Sequence, residues 1–316
     1  MGKSGQQGIA AVSSWTPGRI LGGMAIRLYR PGDAASVAQL SASCQRNDAD
    51  YVLNPMWEDE AEFFAEFERH GIRPEEYLLV ADDEGSGILG LSGFLREAEG
   101  TAGGLLCPIV ARAERGRGIG GELLRGALAL GKEKGMQLAT AGIGTRNRSG
   151  YSLLTALGFR PVRQHFLMRC EARPKAAGKS HGADLAAAEA DDVPAILALY
   201  LQCGFEPRSQ EEMTRAFASS RRLHAVARLD GKVVAFVELE THWPRRNWVA
   251  YVGVAEALRD RGLGSALVGW ALAGQFDAGA REALLILSPA NRTAMRAYEK
   301  VGFRMHRVLD VLERAL

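Results

Sequence analysis

Two stretches of this sequence carry the residue types that hold a pyrophosphate. The segment RGRGIGG, Arg115 to Gly121, follows a short apolar run and opens a helical pattern, and RDRGLGS, Arg259 to Ser265, does the same. Glycine at Gly116, Gly118, Gly120 and Gly121, and at Gly262 and Gly264, lets a backbone approach a ligand without a clash from Cβ. The unpaired N–H groups of the helix start, from Ile119 and from Leu263, then point at phosphate. The helix dipole adds about half a positive charge there. Arg115, Arg117, Arg259 and Arg261 set cations beside each turn, and Ser265 offers a hydroxyl. A tight strand-to-helix turn also uses glycine, and a single copy would leave that alternative strong. Two copies in the same strand–turn–helix context favour the cradle.

A dinucleotide fold is the other reading of such a turn, because Gly116, Gly118 and Gly121 satisfy G-x-G-x-x-G. That motif needs an acidic residue about 20 positions on to hold a ribose. Residues 136–148 contain no acid, and the second copy has Asp260 and no third glycine. The Rossmann reading is rejected.

The elements that must position these turns follow from an internal repeat. From Arg115 to Arg259 the offset is 144, and the same offset carries Asn147 onto Asn291 and Gly158-Phe159-Arg160 onto Gly302-Phe303-Arg304. A repeat of this length is a duplicated domain. Helical patterns follow Asp33 and Asp192. Leu223 to Arg228, the Asp230-Gly231 turn and Lys232 to Glu240 predict a hairpin. Tyr77 to Ala81 and Ile88 to Leu95 predict its counterpart. Short apolar strands at Leu105–Val110 and Val249–Val254 run into the glycine turns. A strand over Glu282–Leu287 precedes a helix opened by Asn291. The division expected is a flexible arm over 1–23, a domain over 24–170, a linker over 171–183 and a second domain over 184–316.

The balance of charge narrows the function. A net charge of +2, with 47% apolar and 24% charged residues, gives no basic footprint for nucleic acid. No apolar run reaches the roughly 18 residues of a membrane span. Cys44, Cys107, Cys170 and Cys203 have no paired spacing and read as reduced thiols of a cytoplasmic protein. Neither they nor the histidines suggest a metal site.

With its R-x-x-G-x-G turns and Asn-headed helices ending in Gly-Phe, the chain resembles the GNAT acetyltransferases, twice over. The resemblance covers 24–170 and 184–316 and is strongest in 107–160 and 251–304. It implies two tandem α/β (α+β) folds, each a mixed, mostly antiparallel sheet flanked by helices, with a splayed central strand pair. It implies acetyl-CoA in both copies, or another acyl-CoA in the second. The pantetheine arm would lie on Ile109 and Val110 in copy one and on Val252 and Val254 in copy two. Asn147 and Asn291 would head the helix beside the cofactor.

The resemblance also implies a tyrosine on the last helix that protonates the departing thiolate. Tyr298 holds that place, seven residues after Asn291 and so on the same helical face. A packed core aromatic is the alternative for it. Copy one has Leu154 there, and Tyr151 sits about one turn away, so copy one is expected to hold acetyl-CoA as a structural ligand. Attack by an amine needs a proton acceptor. The fourth strand of copy two lacks the family's Glu, so Glu240 or Glu238 is the candidate, sharing a strand face with His242. A solvated strand face explains the same three residues. His224 and His306 read as packing or surface residues. Arg245 and Arg246, in the loop before the fourth strand, suit either an anionic substrate or a turn.

The resulting expectation is an acyl-CoA-dependent N-acetyltransferase acting on a small-molecule amine, as a monomer or homodimer, without nucleic acid or membrane. The tandem organisation is similar to that of mycothiol synthases and of the tandem acetyltransferase of the clavulanic acid pathway, which implies secondary metabolism or antibiotic biosynthesis. The rival reading is an acyl-CoA-binding or sensing protein without turnover.

Overall fold

The structure, a computed structural model, describes residues 24–83, 87–96, 101–175 and 180–316. The expected arm over 1–23 and part of the expected linker, 176–179, lie outside the described residues. The chain divides into two compact units. Unit 1 holds the described part of Met1–Glu60, with His70–Pro161 and Leu312–Leu316; unit 2 holds Ala61–Arg69 and Val162–Val311.

In chain order β1 (Met24–Leu28) and α1 (Ala34–Gln45) come first, in unit 1. The helix α2 (Glu60–Arg69) belongs to unit 2 from Ala61 on. Unit 1 continues with α3 (Pro74–Tyr77), β2 (Leu78–Asp83), β3 (Gly87–Arg96) and β4 (Ala102–Val110). It then has α4 (Ile119–Glu133), β5 (Leu138–Gly144) and α5 (Arg148–Ala156). Unit 2 takes up β6 (Arg160–Cys170) from Val162, then β7 (Asp184–Ala187), α6 (Val193–Gln202) and α7 (Gln210–Ala218). There follow β8 (Arg222–Leu229), β9 (Lys232–Trp243), β10 (Arg246–Val254) and α8 (Leu263–Asp277). Last come β11 (Glu282–Leu287), α9 (Arg292–Val301) and β12 (Arg304–Ala315), whose residues from Leu312 belong to unit 1.

Within unit 1 the strands lie in the order β1, β2, β3, β4, β5; within unit 2 the order includes β6, β11, β10, β9, β8, β7. The β8–β9 hairpin turns on Asp230 and Gly231, at φ 50° and 75°, the primed turn that matches strand twist. Helix α8 buries Leu263, Leu267, Val268, Ala271 and Leu272, residues three and four apart, against Ala225, Val237 and Leu239 of the sheet. Its counterpart α4 buries Ile119, Leu123, Leu124 and Ala127. Gly158 and Gly302 end α5 and α9 in the left-handed region, and the next residues, Phe159 and Phe303, drop into the two cores.

The feature that matters for function is the parallel pair in each unit. β4 meets β5 only through Ala102, Gly103 and Gly104, and β10 meets β11 only through Arg246, Asn247 and Trp248. Beyond those three residues each pair splays apart. These short pairings also explain why both fourth strands begin three residues before the apolar runs that predict them. Each fourth strand carries a bulge at the start of the splay, between its partners Leu91 and Gly93 in unit 1 and between Val249 and Tyr251 in unit 2. Tyr77 closes the helical turn α3 instead of opening β2, because Pro74 at the first helical position sets a helical start.

Candidate functional site

The glycine turn of unit 2 has a backbone that few other residues could follow. Gly262 caps α8 at φ 89°, as Gly118 caps α4 at φ 83°. The residue two places earlier is also left-handed in both units, Gly116 at φ 81° and Asp260 at φ 62°. Aspartate is one of the few side chains that visit this region. A Cβ on Gly264 would stand 3.3 Å from Val254, so the first turn of α8 sits directly against β10. Gly120 occupies the same place, with Leu153 and Val110 at 3.4 and 3.6 Å. Gly121 needs no such explanation, since an added Cβ would meet only the flexible Arg125 side chain.

In front of this turn unit 2 opens a cleft of about 670 Å³. Its wall brings together Val252 and Val254 of β10, Arg259, the Gly262–Ser265 turn, and Asn291 and Tyr298 of α9. Ser265 is buried beneath the turn, and Asn291 accepts a hydrogen bond from the Ala294 amide as the N-cap of α9. Asn147 caps α5 through Gly150 in the same way. In unit 1, Ile119 and Ile109 are buried, and Ile109 and Val110 pair with Leu91 and Gly90 of β3.

The sequence sets four arginines beside the turns, and of the two in unit 2 Arg259 lines the cleft. Arg259 donates Nε to the Val254 carbonyl at 3.0 Å and Nη2 to the Gln202 carbonyl at 3.1 Å. Arg115 repeats the first bond on Val110 at 3.0 Å and pairs with Asp50 at 2.6 Å. Both brace the end of the fourth strand. Arg117 pairs with Glu114, and Arg261 lines a smaller recess with His181. The cations that do line the cleft with Arg259 are Arg296 and Lys300, four residues apart on α9. Only their mutual spacing of four residues could have flagged them.

Tyr298 packs edge to face on Phe303, centroids 5.7 Å apart, and burial pushes its phenol up to about 12. It therefore keeps its proton at neutral pH. The residue at this place in unit 1, Leu154, is core.

Glu238 and Glu240 lie on the other face of the sheet, where α6 and α7 pack. Glu238 is fully buried and accepts from the Tyr200 hydroxyl, from Arg208 at 2.9 Å and from Arg222, with His224 Nε2 at 3.6 Å. Burial works to raise its pKa, yet the nearby His224 ring, the Tyr200 hydroxyl bond and the charge of Arg208 hold it at about 2. Glu240 pairs with His242 at 2.7 Å and with Arg222 at 3.0 Å. Burial opposes its charge, and the His242 bond and Arg222 outweigh burial, so its pKa also falls. Burial lowers that of His242, which is therefore neutral at pH 7. The His242 ring stacks on Trp248, the last residue before β10 leaves β11. Sequence reasoning missed Tyr200, Arg208 and Arg222, which arrive from separate elements with no shared spacing.

Arg246 corrects a second expectation. It is the first residue of β10, not a loop residue, and it is buried against Glu62 of α2 at 2.7 Å and Glu282 at 2.6 Å. A cation so paired is a structural clamp and does not face an anionic substrate. Arg245 takes the turn, at φ 62°.

A mixed sheet splayed at its parallel pair, with a glycine-capped helix at the mouth of the splay, defines an acyltransferase architecture, present here in two copies. The sequence profile described as the Acetyltransferase (GNAT) family matches residues 37–159 and 193–303. The chain belongs to that family. It is 34% identical over 97 residues to the mycothiol acetyltransferase of Corynebacterium efficiens, a stretch covering 30% of this chain and 33% of that one. The chain thus spans about a third of the length of that curated relative. A GCN5-related N-acetyltransferase from Sphaerobacter thermophilus has the same fold, with a TM-score of 0.74 at 21% identity over 92% of this chain and 95% of that one. So does a tandem GNAT protein from the clavulanic acid biosynthesis pathway, with a TM-score of 0.66 at 14% identity over 92% and 98%. Among the described residues no cluster of His, Cys, Asp or Glu could hold a metal ion, and no helix is long and apolar enough to cross a membrane.

Proposed function

We propose that unit 2 transfers an acetyl group from acetyl-CoA to the amine of a small molecule, and that unit 1 holds acetyl-CoA as a structural ligand. One observation carries the first half: a single cleft gathers the glycine-capped start of α8, the edge of β10 freed from β11, and Tyr298. The residues fit such a ligand. A pyrophosphate suits the open N–H groups after Gly262, where a Cβ at Gly264 would crowd β10. Arg296 and Lys300 of α9 add charge to the same cleft.

Bound acetyl-CoA supplies an activated thioester. The backbone between Val252 and Val254, released from β11, has N–H groups available to polarise a carbonyl. Tyr298 holds its proton, ready for a departing thiolate. For the proton of the amine we assign Glu240 acting through His242, since Glu238, held at about 2 and bonded on all sides, is too weak a base. The mycothiol acetyltransferases matched over part of their length motivate a small amine of secondary metabolism as acceptor.

The test is release of free CoA thiol from acetyl-CoA by the purified chain across a panel of small primary amines. Amine-dependent release is expected. A chain that binds acetyl-CoA and transfers to none of them would turn the assignment to a binding protein.

A further inference from the structure

The splayed gap of unit 1 is already filled, by the protein itself. The segment after α1 runs antiparallel to β5, with Val52 bridged to Ile143. Leu53 donates its amide to the Gly142 carbonyl at 2.9 Å, and Gly144 donates to the Tyr51 carbonyl at 3.0 Å. On the opposite side of the gap Cys107 of β4 donates to the Asn54 carbonyl at 2.9 Å. Residues 51–54 thus act as a strand inserted between β4 and β5. Tyr51 and Val52 are buried, and the Gln45 side chain holds the carbonyls of Val52 and Pro55 at 3.3 and 2.6 Å. No backbone hydrogen bond fills the corresponding gap of unit 2 among the described residues.

The sequence makes room for the insertion. A Cβ on Gly142 would come within 2.7 Å of the Leu53 side chain, and one on Gly144 within 3.3 Å of Tyr51. One on Gly104 would stand 3.4 Å from Asn54. At the offset of 144 residues, unit 2 has Ile286, Ser288 and Trp248 in those three places. Glycines in unit 1 admit the segment, and side chains in unit 2 would exclude it.

We propose that residues 51–54 seal the acceptor gap of unit 1, making it a site that binds an acyl-CoA at its cradle without passing the acyl group on. Transfer needs an amine to reach the acyl carbon through the gap, and a backbone N–H there to polarise the carbonyl. At the offset from Val252 unit 1 has Pro108, which carries no N–H, and the neighbouring Cys107 N–H, at the bulge where the splay begins, is already donated to Asn54. Leu53 occupies the space over Gly142. The cradle at Gly118 and Gly120 and the backbone at Val110 lie outside the inserted segment and stay available. The binding half of this proposal rests on the reading of unit 1 as an acyl-CoA site; the sealing half does not.

Hydrogen exchange on the full chain without ligand tests the seal directly. The amides of Leu53, Cys107 and Gly144 are expected to exchange within about tenfold of the β4 amides paired to β3, as members of one cooperative unit. Exchange at the rate of an open loop would overturn the seal, whatever the cofactor. Nondenaturing mass spectra of the Gly262→Val chain with acetyl-CoA, ethanolamine and glucosamine test the binding half. One adduct that keeps its acetyl mass is expected. Conversion of that adduct to free CoA, or no adduct, would overturn it. Gly142→Ile supplies a further check, because it should raise the exchange rates of all three amides together.

Discussion

Gly104, Gly142 and Leu154 of unit 1 stand at the offset from Trp248, Ile286 and Tyr298 of unit 2. The two units share the positive-φ positions of the turn, the strand-end bond from arginine and the Asn cap, all at the same spacing. What differs is the content of the gap beyond the turn. Unit 1 fills it with backbone and apolar side chains; unit 2 leaves a cleft with a phenol in its wall. The comparison teaches that binding and transfer separate at different residues of one fold. The parts that would bind a pyrophosphate are backbone geometry, kept by glycine. The parts that would move a proton are a handful of side chains, and losing them leaves the fold intact.

The largest effect that could break this comparison is at Tyr298. Tyr298→Phe is expected to lower kcat about 10²- to 10⁴-fold, the usual contribution of a positioned acid. Acetyl-CoA binding and the melting temperature should barely change, since the ring and its packing on Phe303 remain. A variant with full activity would return Tyr298 to the core. The converse change, Leu154→Tyr, should create no activity in unit 1, because a proton donor there faces a gap closed by Leu53.

Next in size is the buried carboxylate of unit 2. Glu238→Gln leaves Arg208 and Arg222 without their shared counter-charge, and breaking a buried pair in this way costs roughly 3–5 kcal/mol. The same group sets an acid dependence. Its folded pKa, about 2, lies below the ordinary 4.5, so its contribution is complete above about pH 4.5 and fades as the pH falls towards 2. Thermal melts from pH 7 to pH 3 should therefore fall less steeply in Glu238→Gln than in the parent chain. Parallel curves would show that the network around Glu238 stabilises nothing.

These residues also show how far the sequence could be read. The turns, the hairpin at Asp230-Gly231, the strand over Glu282–Leu287 and the Asn291 cap all follow from local chemistry, and the structure has each of them. Local rules suffice where glycine, Asx caps and alternation decide the backbone. They do not reach the network around Glu238, built from α6, β8, β9 and the segment before α7. Nor do they reveal that Arg246 is buried on Glu62, since that pair spans 184 residues. The inserted segment 51–54 was hidden for the same reason. Its signature is three glycines on two other strands, each unremarkable alone.

A smaller effect distinguishes the two cradles. Gly262→Val and Gly118→Val each force a β-branched side chain into the left-handed region, at roughly 1–2 kcal/mol or more. The first is expected to weaken acetyl-CoA binding in unit 2 and to lower transfer about tenfold or more. The second should leave kcat unchanged and lower only the retention of ligand by unit 1. Titrations followed by nondenaturing mass spectra, run beside the kinetics, read both. Loss of transfer in Gly118→Val would mean that unit 1 takes part in the reaction.

The smallest difference lies in the two asparagine caps. Asn291→Ala removes an exposed cap and should cost about 1 kcal/mol, a typical figure for such a loss. Asn147 is buried, caps α5 through Gly150 and also donates to the Tyr51 carbonyl at 3.4 Å. That carbonyl belongs to the inserted segment and already accepts from the Gly144 amide. Asn147→Ala should therefore cost more, by about another 1 kcal/mol for the lost bond. It should also speed exchange at Leu53 and Gly144 while leaving unit 2 unmoved. Denaturant titrations of the two variants, with exchange read at those amides, check both points. Equal costs would mean that the buried asparagine serves its helix alone and that the segment is held in place by Leu53 and the glycines without it.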